Sequence, residues 1–284
     1  MELILARHAG FCFGVKRATL LAFEKAAELQ GGVTCTLGPI IHSPQVVSRL
    51  EEKGVRVINS LAEIDHGSVI LRSHGVPESE VREAQAKGLQ VIDATCPFVK
   101  KAQHYLKMLS DEGYELVVVG DRDHPEVEGI ISYAKGSVYV VASAAEAEAL
   151  PKLKRLGVVA QTTQSYETLS AVVSVCLQKV QEIRVFNTIC DATAVRQEEA
   201  KTIASMVDCM LVIGGFNSAN TRRLAEVCHE IQPHTHHIET VDQLSADWFA
   251  DVKSVGITAG ASTPKWLIDE VIERINAMET DKKD

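Results

Sequence analysis

An apolar, β-branched stretch that ends at a cysteine occurs three times along the chain, and this recurrence determines how we expect the sequence to fold. The three copies are ELILARHAGFC (residues 2–12), LQVIDATC (residues 89–96) and IRVFNTIC (residues 183–190). Their cysteines, Cys12, Cys96 and Cys190, recur roughly every 90 residues, which indicates an internal structural repeat. The sequence around each cysteine is therefore the reference point for the rest of the chain.

The segments that follow each cysteine come in the same order in all three copies. First comes a stretch with apolar residues at helical spacing, namely residues 15–30, 97–112 and 192–207. A second strand then ends in a polar loop, TLGPIIHSP (36–44), VVGDRDHPE (118–126) or VIGGFNSAN (212–220). After a further helix and a short strand that leads into a capped helix, a last strand ends in LRSHG (71–75), VAQTT (159–163) or TAGAS (258–262).

Strands that alternate with helices predict parallel sheets, so we expect an α/β protein of three pseudo-repeated α/β domains with mainly parallel sheets. The predicted domains are residues 1–95 with Cys12, residues 96–188 with Cys96 and residues 189–284 with Cys190. The alternative is one large doubly wound sheet in which the repeat is a coincidence. In either case ligands are expected beyond the carboxyl ends of the strands, where all the polar loops lie.

Composition limits the classes of protein to consider. The 284 residues are 46% hydrophobic and 24% charged, as in an ordinary globular protein rather than a disordered or fibrous one. Lysine and arginine number 29 against 38 aspartate and glutamate residues, a net charge of −9 that disfavours binding to nucleic acid. The apolar stretches are too short to span a membrane, and the N-terminus lacks the features of a signal peptide. We therefore expect a cytoplasmic protein with no membrane span and no nucleic-acid partner.

The seven cysteines include no C-x-x-C pair, which argues against a disulfide framework and against a local zinc motif. Three cysteines at equivalent strand ends can instead supply three thiolates to one site, and thiolates select zinc, copper(I) or an iron–sulfur cluster. Pro97 places Cys96 at a helix N-terminus, which favours its thiolate form. The other four cysteines lie within predicted strands or helices, where packing explains them: Cys35, Cys176, Cys209 and Cys228.

The loops beyond the strands supply mostly neutral hydrogen-bond donors. Several of these loops lead into helices that start with proline, and the free N–H groups of such helix ends suit an anion such as a phosphate-bearing substrate. The candidate residues are His42, His74, His124, Glu126, Thr162, Ser218, Asn220 and Ser262. Any one of the histidines can also be a helix cap or a packed ring.

Glu126 is a candidate proton donor because a dry site would raise its pKa towards the working pH. It can also be a first-turn glutamate that complements the helix dipole. Another histidine cluster, at positions 234, 236 and 237, indicates a strand with alternating faces, and edge histidines explain it better than a metal site. Neither G-x-G-x-x-G nor a P-loop is present, so no nucleotide cofactor is indicated.

The sequence resembles the 4-hydroxy-3-methylbut-2-enyl diphosphate reductase family, also called IspH or LytB. The motifs that carry the resemblance run in family order from His8 to Pro264: HAGFCFGVKRA, GPIIHSPQVV, RSHGVP, DATCP, HPEVEG, AQTTQS, NTICDAT, FNSANTRRLAE and TAGASTP. The resemblance implies a trefoil of three α/β domains around one 4Fe–4S cluster, with an N-terminal strand that packs in the third domain. Three cysteines, here Cys12, Cys96 and Cys190, would bind the cluster and leave one iron open to the substrate's allylic hydroxyl group.

The implied reaction removes that hydroxyl group as water with two electrons and two protons, giving isopentenyl and dimethylallyl diphosphate. The electrons would come from an external donor such as ferredoxin or flavodoxin. By the same resemblance Glu126 takes part in proton delivery and Thr162 lies near the hydroxyl end. The residues implied to bind the diphosphate are His42, His74, His124, Ser218, Asn220 and Ser262.

One position departs from the family pattern, because many members have N-S-S-N where this chain has Ala219 between Ser218 and Asn220. A hydroxyl contact with the diphosphate is therefore missing there. Two other classes of function are also considered: a zinc hydrolase of phosphate esters with three cysteine ligands, and a non-catalytic module that binds anions or senses iron.

Overall fold

Strands and helices alternate along almost the whole chain in the computed structural model, which describes residues 1–28 and 32–281. The described strands are β1 (Glu2–Leu5), β2 (Thr34–Leu37), β3 (Val55–Ile58), β4 (Ser68–Leu71), β5 (Gln90–Asp93), β6 (Glu115–Val119), β7 (Val138–Val141), β8 (Leu153–Ala160), β9 (Val180–Val185), β10 (Cys209–Ile213), β11 (Thr235–Ile238) and β12 (Ser254–Ala259). The described α-helices are α1 (Phe13–Ala27), α2 (Pro44–Glu51), α3 (Glu78–Ala86), α4 (Pro97–Asp111), α5 (Pro125–Ile131), α6 (Ala144–Ala147), α7 (Tyr166–Leu177), α8 (Asp191–Ala204), α9 (Ala219–Ile231) and α10 (Lys265–Asp281). Short 3-10 helices are η1 (Leu61–Glu63), η2 (Val241–Gln243) and η3 (Ala246–Phe249).

The strands form three four-stranded sheets in which all neighbours are parallel. Their orders are β3-β2-β4-β5, β7-β6-β8-β9 and β11-β10-β12-β1, so each sheet repeats one topology. This confirms the predicted α/β class with parallel sheets, and the alternative of one large doubly wound sheet is wrong. In every sheet the strand that precedes a cysteine is an edge strand. For Cys12 this strand is β1, which pairs with β12 near the other end of the chain.

The described chain divides into two compact units. The first unit comprises Met1–Val15, His42–Val46 and Asp191–Asp284 and holds the sheet that includes β1. The second unit comprises Lys16–Ile41 and Val47–Cys190 and holds the other two sheets. The division into three domains at residues 95 and 188 stays a prediction.

The interior strands are almost continuously apolar because both faces of each sheet are covered. In β6, Val117 and Val119 belong to a buried cluster that includes residues of α7, whereas Val118 belongs to one that includes residues of α4 and α5. In the first unit, β10 contributes Leu211 to a cluster with α10 and Met210 to a cluster with α8 and α9. Burial on both faces explains why these strands show no alternation of apolar and polar residues.

The helices that follow the cysteines begin within two residues of their predicted starts at residues 15, 97 and 192. Helix α4 begins at Pro97, directly after Cys96, and α8 begins at Asp191, directly after Cys190. Helix α1 ends at Ala27, and the predicted end at residue 30 lies outside the described residues. The helices predicted after the short strands are also confirmed: α6 is a single turn, and η1 and η2 are 3-10 turns with capping boxes.

None of the described helices combines the length and the apolar composition that crossing a bilayer would need.

Candidate functional site

Glu126 is the buried acid of the second unit. It is the second residue of α5, only 2% of its surface is exposed, and its carboxylate accepts two hydrogen bonds from Thr162. The Thr162 N–H donates to Oε1 at 2.6 Å and the Thr162 hydroxyl donates to Oε2 at 2.9 Å. Burial raises the pKa of Glu126 to about 7, although the two hydrogen bonds from Thr162 act in the opposite direction. A carboxyl group with this pKa can hold and release a proton at neutral pH, as a general acid must.

His124 caps the helix that carries Glu126. The Glu126 N–H donates to His124 Nδ1 at 3.1 Å, so Nε2 is the nitrogen that carries the ring proton. The ring of His74 approaches that of His124 edge to face, with 5.6 Å between ring centroids. His124 is 5% exposed. The structure therefore brings together four of the predicted site residues in the second unit, His74, His124, Glu126 and Thr162.

The same loops hold the two cysteines of this unit. The Cys96 N–H donates to the Ser73 carbonyl at 2.9 Å, and the Cys190 N–H donates to the Thr162 carbonyl, also at 2.9 Å. Cys96 is also the residue before Pro97 at the N-terminus of α4. Each cysteine is thus fixed to a loop that carries a candidate substrate-binding residue.

Cys12 in the first unit is held in an equivalent way. Its N–H donates to the Ala261 carbonyl at 3.2 Å, beside Ser262. In each sheet, the residue that accepts this hydrogen bond lies two positions beyond the end of the strand that neighbours the edge strand leading to the cysteine. The three accepting residues are Ser73, Thr162 and Ala261. The three cysteines predicted from the repeat therefore occupy equivalent positions in the three sheets.

The remaining predicted residues of the first unit lie beyond the ends of β10 and β12. Ser218 caps α9 through its hydroxyl, which accepts from the Thr221 N–H at 3.3 Å. Asn220 is 6% exposed, and its side-chain nitrogen is buried with no hydrogen-bond partner among the described residues. Ser262 is 6% exposed as well. An amide N–H₂ in this state suits a ligand that accepts hydrogen bonds, as a phosphate oxygen does.

His42 reaches the same region of the first unit through a close backbone approach. A Cβ atom at Gly215 would lie 2.8 Å from the His42 carbonyl oxygen, so only glycine allows the two loops to come so close. Gly215 therefore has a packing role in placing the loop of His42 beside the end of β10.

Exposure separates the three predicted ligand cysteines from the other four. Cys12, Cys96 and Cys190 are partly exposed, and each is free of a disulfide. The remaining cysteines are fully buried, as predicted from their positions in strands and helices: Cys35, Cys176, Cys209 and Cys228. Burial raises the pKa of the Cys228 thiol to about 12 and that of Cys209 to about 11, so both are neutral thiols at neutral pH. The partly exposed set fits a cluster bound by thiolates better than the buried set does.

Arg196 supports the Cys12 loop and was not predicted from the sequence. It is 4% exposed on α8, and its guanidinium donates to the carbonyls of His8 at 2.9 Å and Gly10 at 2.7 Å. These bonds fix the backbone that leads to Cys12. From the sequence, an arginine within a helical pattern is expected on the protein surface. The role of Arg196 is visible only in the structure, because the loop that it contacts is distant in the chain.

Comparisons with known proteins agree along the whole chain. The profile of a family described as "LytB protein" matches residues 3–276. A protein of Geobacter sulfurreducens named 4-hydroxy-3-methylbut-2-enyl diphosphate reductase is 66% identical over 283 residues, which is 100% of both chains. A protein of the same name from Geotalea daltonii is 66% identical over 282 residues, 99% of each chain.

Two solved structures are also similar. One is described as (E)-4-hydroxy-3-methyl-but-2-enyl diphosphate reductase, the terminal enzyme of the non-mevalonate pathway. It is 48% identical, with a TM-score of 0.71 over 98% of this chain and 100% of the other. The second is a reductase from Plasmodium falciparum, described as acting on E-1-hydroxy-2-methyl-but-2-enyl-4-diphosphate. It is 28% identical, with a TM-score of 0.89 over 96% of this chain and 87% of the other.

Proposed function

The chain belongs to the LytB protein family, and from this premise we propose that it is a 4-hydroxy-3-methylbut-2-enyl diphosphate reductase. The reaction breaks the allylic C–O bond of the substrate, takes up two electrons and two protons, and releases water. The products are isopentenyl and dimethylallyl diphosphate. The observation that best supports this chemistry is the buried Glu126 carboxyl, whose pKa is raised to about 7, in hydrogen-bond contact with Thr162.

The family implies an iron–sulfur cofactor, and we propose a 4Fe–4S cluster with Cys12, Cys96 and Cys190 as its protein ligands. When bound, the cluster supplies electrons and an iron without a protein ligand, which acts as a Lewis acid towards the substrate's hydroxyl group. Support comes from the equivalent positions of the three cysteines and from their partial exposure, in contrast to the four buried cysteines.

The substrate's diphosphate is proposed to be bound by neutral donors. The residues assigned to it are His42, His74, His124, Ser218, Asn220 and Ser262. His124 carries its ring proton on Nε2, because Nδ1 accepts from the helix backbone. The Asn220 amide nitrogen is buried without a partner among the described residues. Ala219 contributes a backbone N–H at the first residue of α9 and no hydroxyl group.

Glu126 delivers the proton that turns the leaving hydroxyl into water. Its carboxyl group is held by Thr162, which orients both oxygens and whose carbonyl accepts from the Cys190 N–H. His124 lies two residues before Glu126, as the N-cap of the same helix. Departure of hydroxide needs an acid, and Glu126 is a buried acid whose pKa matches this task. Thr162 is assigned to the hydroxyl end of the substrate.

The proposed reaction needs a small-molecule substrate and a source of electrons. The substrate is an allylic diphosphate, and the electrons would come from an external carrier such as ferredoxin or flavodoxin. The net charge of −9 argues against nucleic acid as a partner. We assign the protein to the cytoplasm, where these carriers are found.

Anaerobic purification followed by iron, sulfide and absorption analysis tests the proposal. We expect about four irons per chain, a visible absorption band that changes when the substrate is added, and turnover with a chemical reductant. Replacing Cys12, Cys96 or Cys190 by serine should remove the iron, whereas Cys176→Ser should retain it. Zinc in place of iron would contradict the proposal, and so would iron without turnover of the allylic diphosphate, which would indicate a sensor.

A further inference from the structure

Three nitrogen and sulfur side chains meet in the first unit at the edge of the sheet where the strands begin. Cys209 is the first residue of β10, His236 lies in β11, and His234 comes one residue before β11. The parallel register pairs Leu211 with His236. Paired residues of neighbouring strands point to the same face of a sheet, and so do residues two apart on one strand. One face of this sheet therefore carries Cys209, His234 and His236.

The ligand atoms of these residues are close together. One atom from each, the Cys209 sulfur and a ring nitrogen from each histidine, all lie within 4.8 Å of one another. The two imidazole rings are 4.9 Å apart between centroids and nearly perpendicular, at 81°. Bond lengths of about 2.3 Å to sulfur and 2.0 Å to nitrogen place ligand atoms of a tetrahedral zinc site roughly 3.5 Å apart. Side-chain rotations that shorten the distances between the ligand atoms by little more than 1 Å therefore complete such a site.

The environment of His236 differs from that of an ordinary packed histidine. Its Nε2 is buried and has no hydrogen-bond partner among the described residues, and its ring stacks on Trp248 at 3.9 Å and 4°. The next residue, His237, is on the opposite face of the strand. There its Nε2 lies 2.8 Å from the Gly214 carbonyl oxygen, and its ring packs against Phe216. The Nε2 of His237 is therefore paired with a backbone carbonyl, whereas the buried Nε2 of His236 has no partner among the described residues and can bind a metal ion.

This group is separate from the proposed active site. Within the first unit's sheet, the residues assigned to the diphosphate follow the carboxyl ends of β10 and β12, namely Ser218, Asn220 and Ser262, whereas Cys209 begins β10. Cys209 is also one of the four buried cysteines excluded above as ligands of the iron–sulfur cluster. Its position in the first unit therefore needs an explanation of its own.

We propose that Cys209, His234 and His236 form a second metal site, which binds one zinc ion and leaves a fourth position for water. One thiolate and two imidazoles are a ligand set that zinc prefers in proteins. Without metal, burial raises the pKa of the Cys209 thiol to about 11, so zinc must displace the thiol proton when it binds. The site ties two adjacent strands, β10 and β11, at the edge of the sheet.

Zinc binding to the iron-loaded enzyme tests this inference without recourse to activity. The anaerobic enzyme, freed of loosely bound metal, is incubated with zinc sulfate, desalted and analysed for zinc and iron. We expect one equivalent of zinc in the wild-type protein and loss of that equivalent in Cys209→Ser and in His236→Gln, with the iron content unchanged. The matched control is His237→Gln on the opposite face of the same strand, which should retain the zinc.

X-ray absorption at the zinc edge provides the second measurement, and it should show one sulfur and two imidazole ligands. Absence of retained zinc in the wild-type protein overturns the inference, as does equal retention in Cys209→Ser. If the buried Cys209→Ser variant does not fold, the partly exposed His234→Gln makes the same test, and zinc retained there also overturns it. Failure of the proposed reductase function shows instead as missing iron, so the two outcomes are distinguishable.

Discussion

Replacing Glu126 by glutamine removes the proton of its carboxyl group while keeping its shape and contacts. Glutamine can accept from the Thr162 N–H through its oxygen and donate to the Thr162 hydroxyl through its nitrogen, so both contacts of the buried side chain survive. We expect kcat to fall by about 10²–10⁴, the usual contribution of a general acid. The iron content and the spectral response to substrate should be unchanged, because neither depends on this proton.

The structure also gives the pH dependence of stability. The pKa of Glu126 is about 7 in the folded protein against 4.5 for an ordinary glutamate, so the native state holds a proton that the unfolded chain loses. The resulting stabilisation is fully present below pH 4.5 and is lost as the pH rises through about 7. At about 1.4 kcal/mol per pKa unit, it amounts to roughly 3 kcal/mol. The glutamine variant lacks this titration, so its stability relative to the wild-type protein should rise by about 2 to 3 kcal/mol from pH 5 to pH 8.

Three measurements on matched preparations separate this role from simple capping of α5: kcat, anaerobic denaturation at pH 5 and pH 8, and the spectral response to substrate. The control is Glu128→Gln, an exposed carboxylate in the first turn of the same helix. Loss of a helix-dipole interaction costs about 0.3–1 kcal/mol and should leave turnover near normal. Near-normal kcat in Glu126→Gln, or stability curves that run parallel to those of the wild-type protein, would refute the reasoning.

Three further variants test separate contacts of the site. Thr162→Val removes one hydrogen bond to the carboxylate, so the pKa of Glu126 should rise and the alkaline limb of the kcat profile should move to higher pH. Asn220→Ala removes a buried donor proposed for the diphosphate, and substrate affinity measured by spectral titration should weaken by about ten- to a hundredfold with the iron retained. Cys96→Ser should lose iron while Cys35→Ser keeps it, and equal iron contents would contradict the ligand assignment.

Local patterns in the sequence predict much of the fold, because each strand and helix depends on nearby residues. The run Glu115–Val119 indicates a strand covered on both faces, and Pro97 marks the start of a helix directly after Cys96. Pairing between strands is not local. One edge strand of the first unit's sheet is β1, which pairs with β12 (Ser254–Ala259), and no periodicity within either segment specifies that pairing.

The same distinction applies to the site. The sequence places His124 and Glu126 just beyond a strand end and at the start of a helix, and the carboxyl ends of parallel strands are where ligands bind. The contact between Glu126 and Thr162 joins loops that follow two neighbouring strands, so it follows once the sheet is known. Arg196 and the zinc ligands could not be found in this way. The predicted strand is present as the edge strand β11 (Thr235–Ile238), but the sequence does not show that β11 lies beside the strand of Cys209.

The internal repeat explains why Glu126 is the one acid at its position among the three copies. After the second strand of each copy, the helix begins in an equivalent loop, and the second helical residue is Gln45, Glu126 or Asn220. Two of these positions carry neutral amides and one carries a carboxylic acid, although all three follow the same strand of the same topology. Amides can bind an anion without a change of charge, whereas the acid can give up a proton. Divergence at a single repeated position therefore places one carboxylic acid where the other two copies carry amides, and this acid is the proton donor proposed for the reaction.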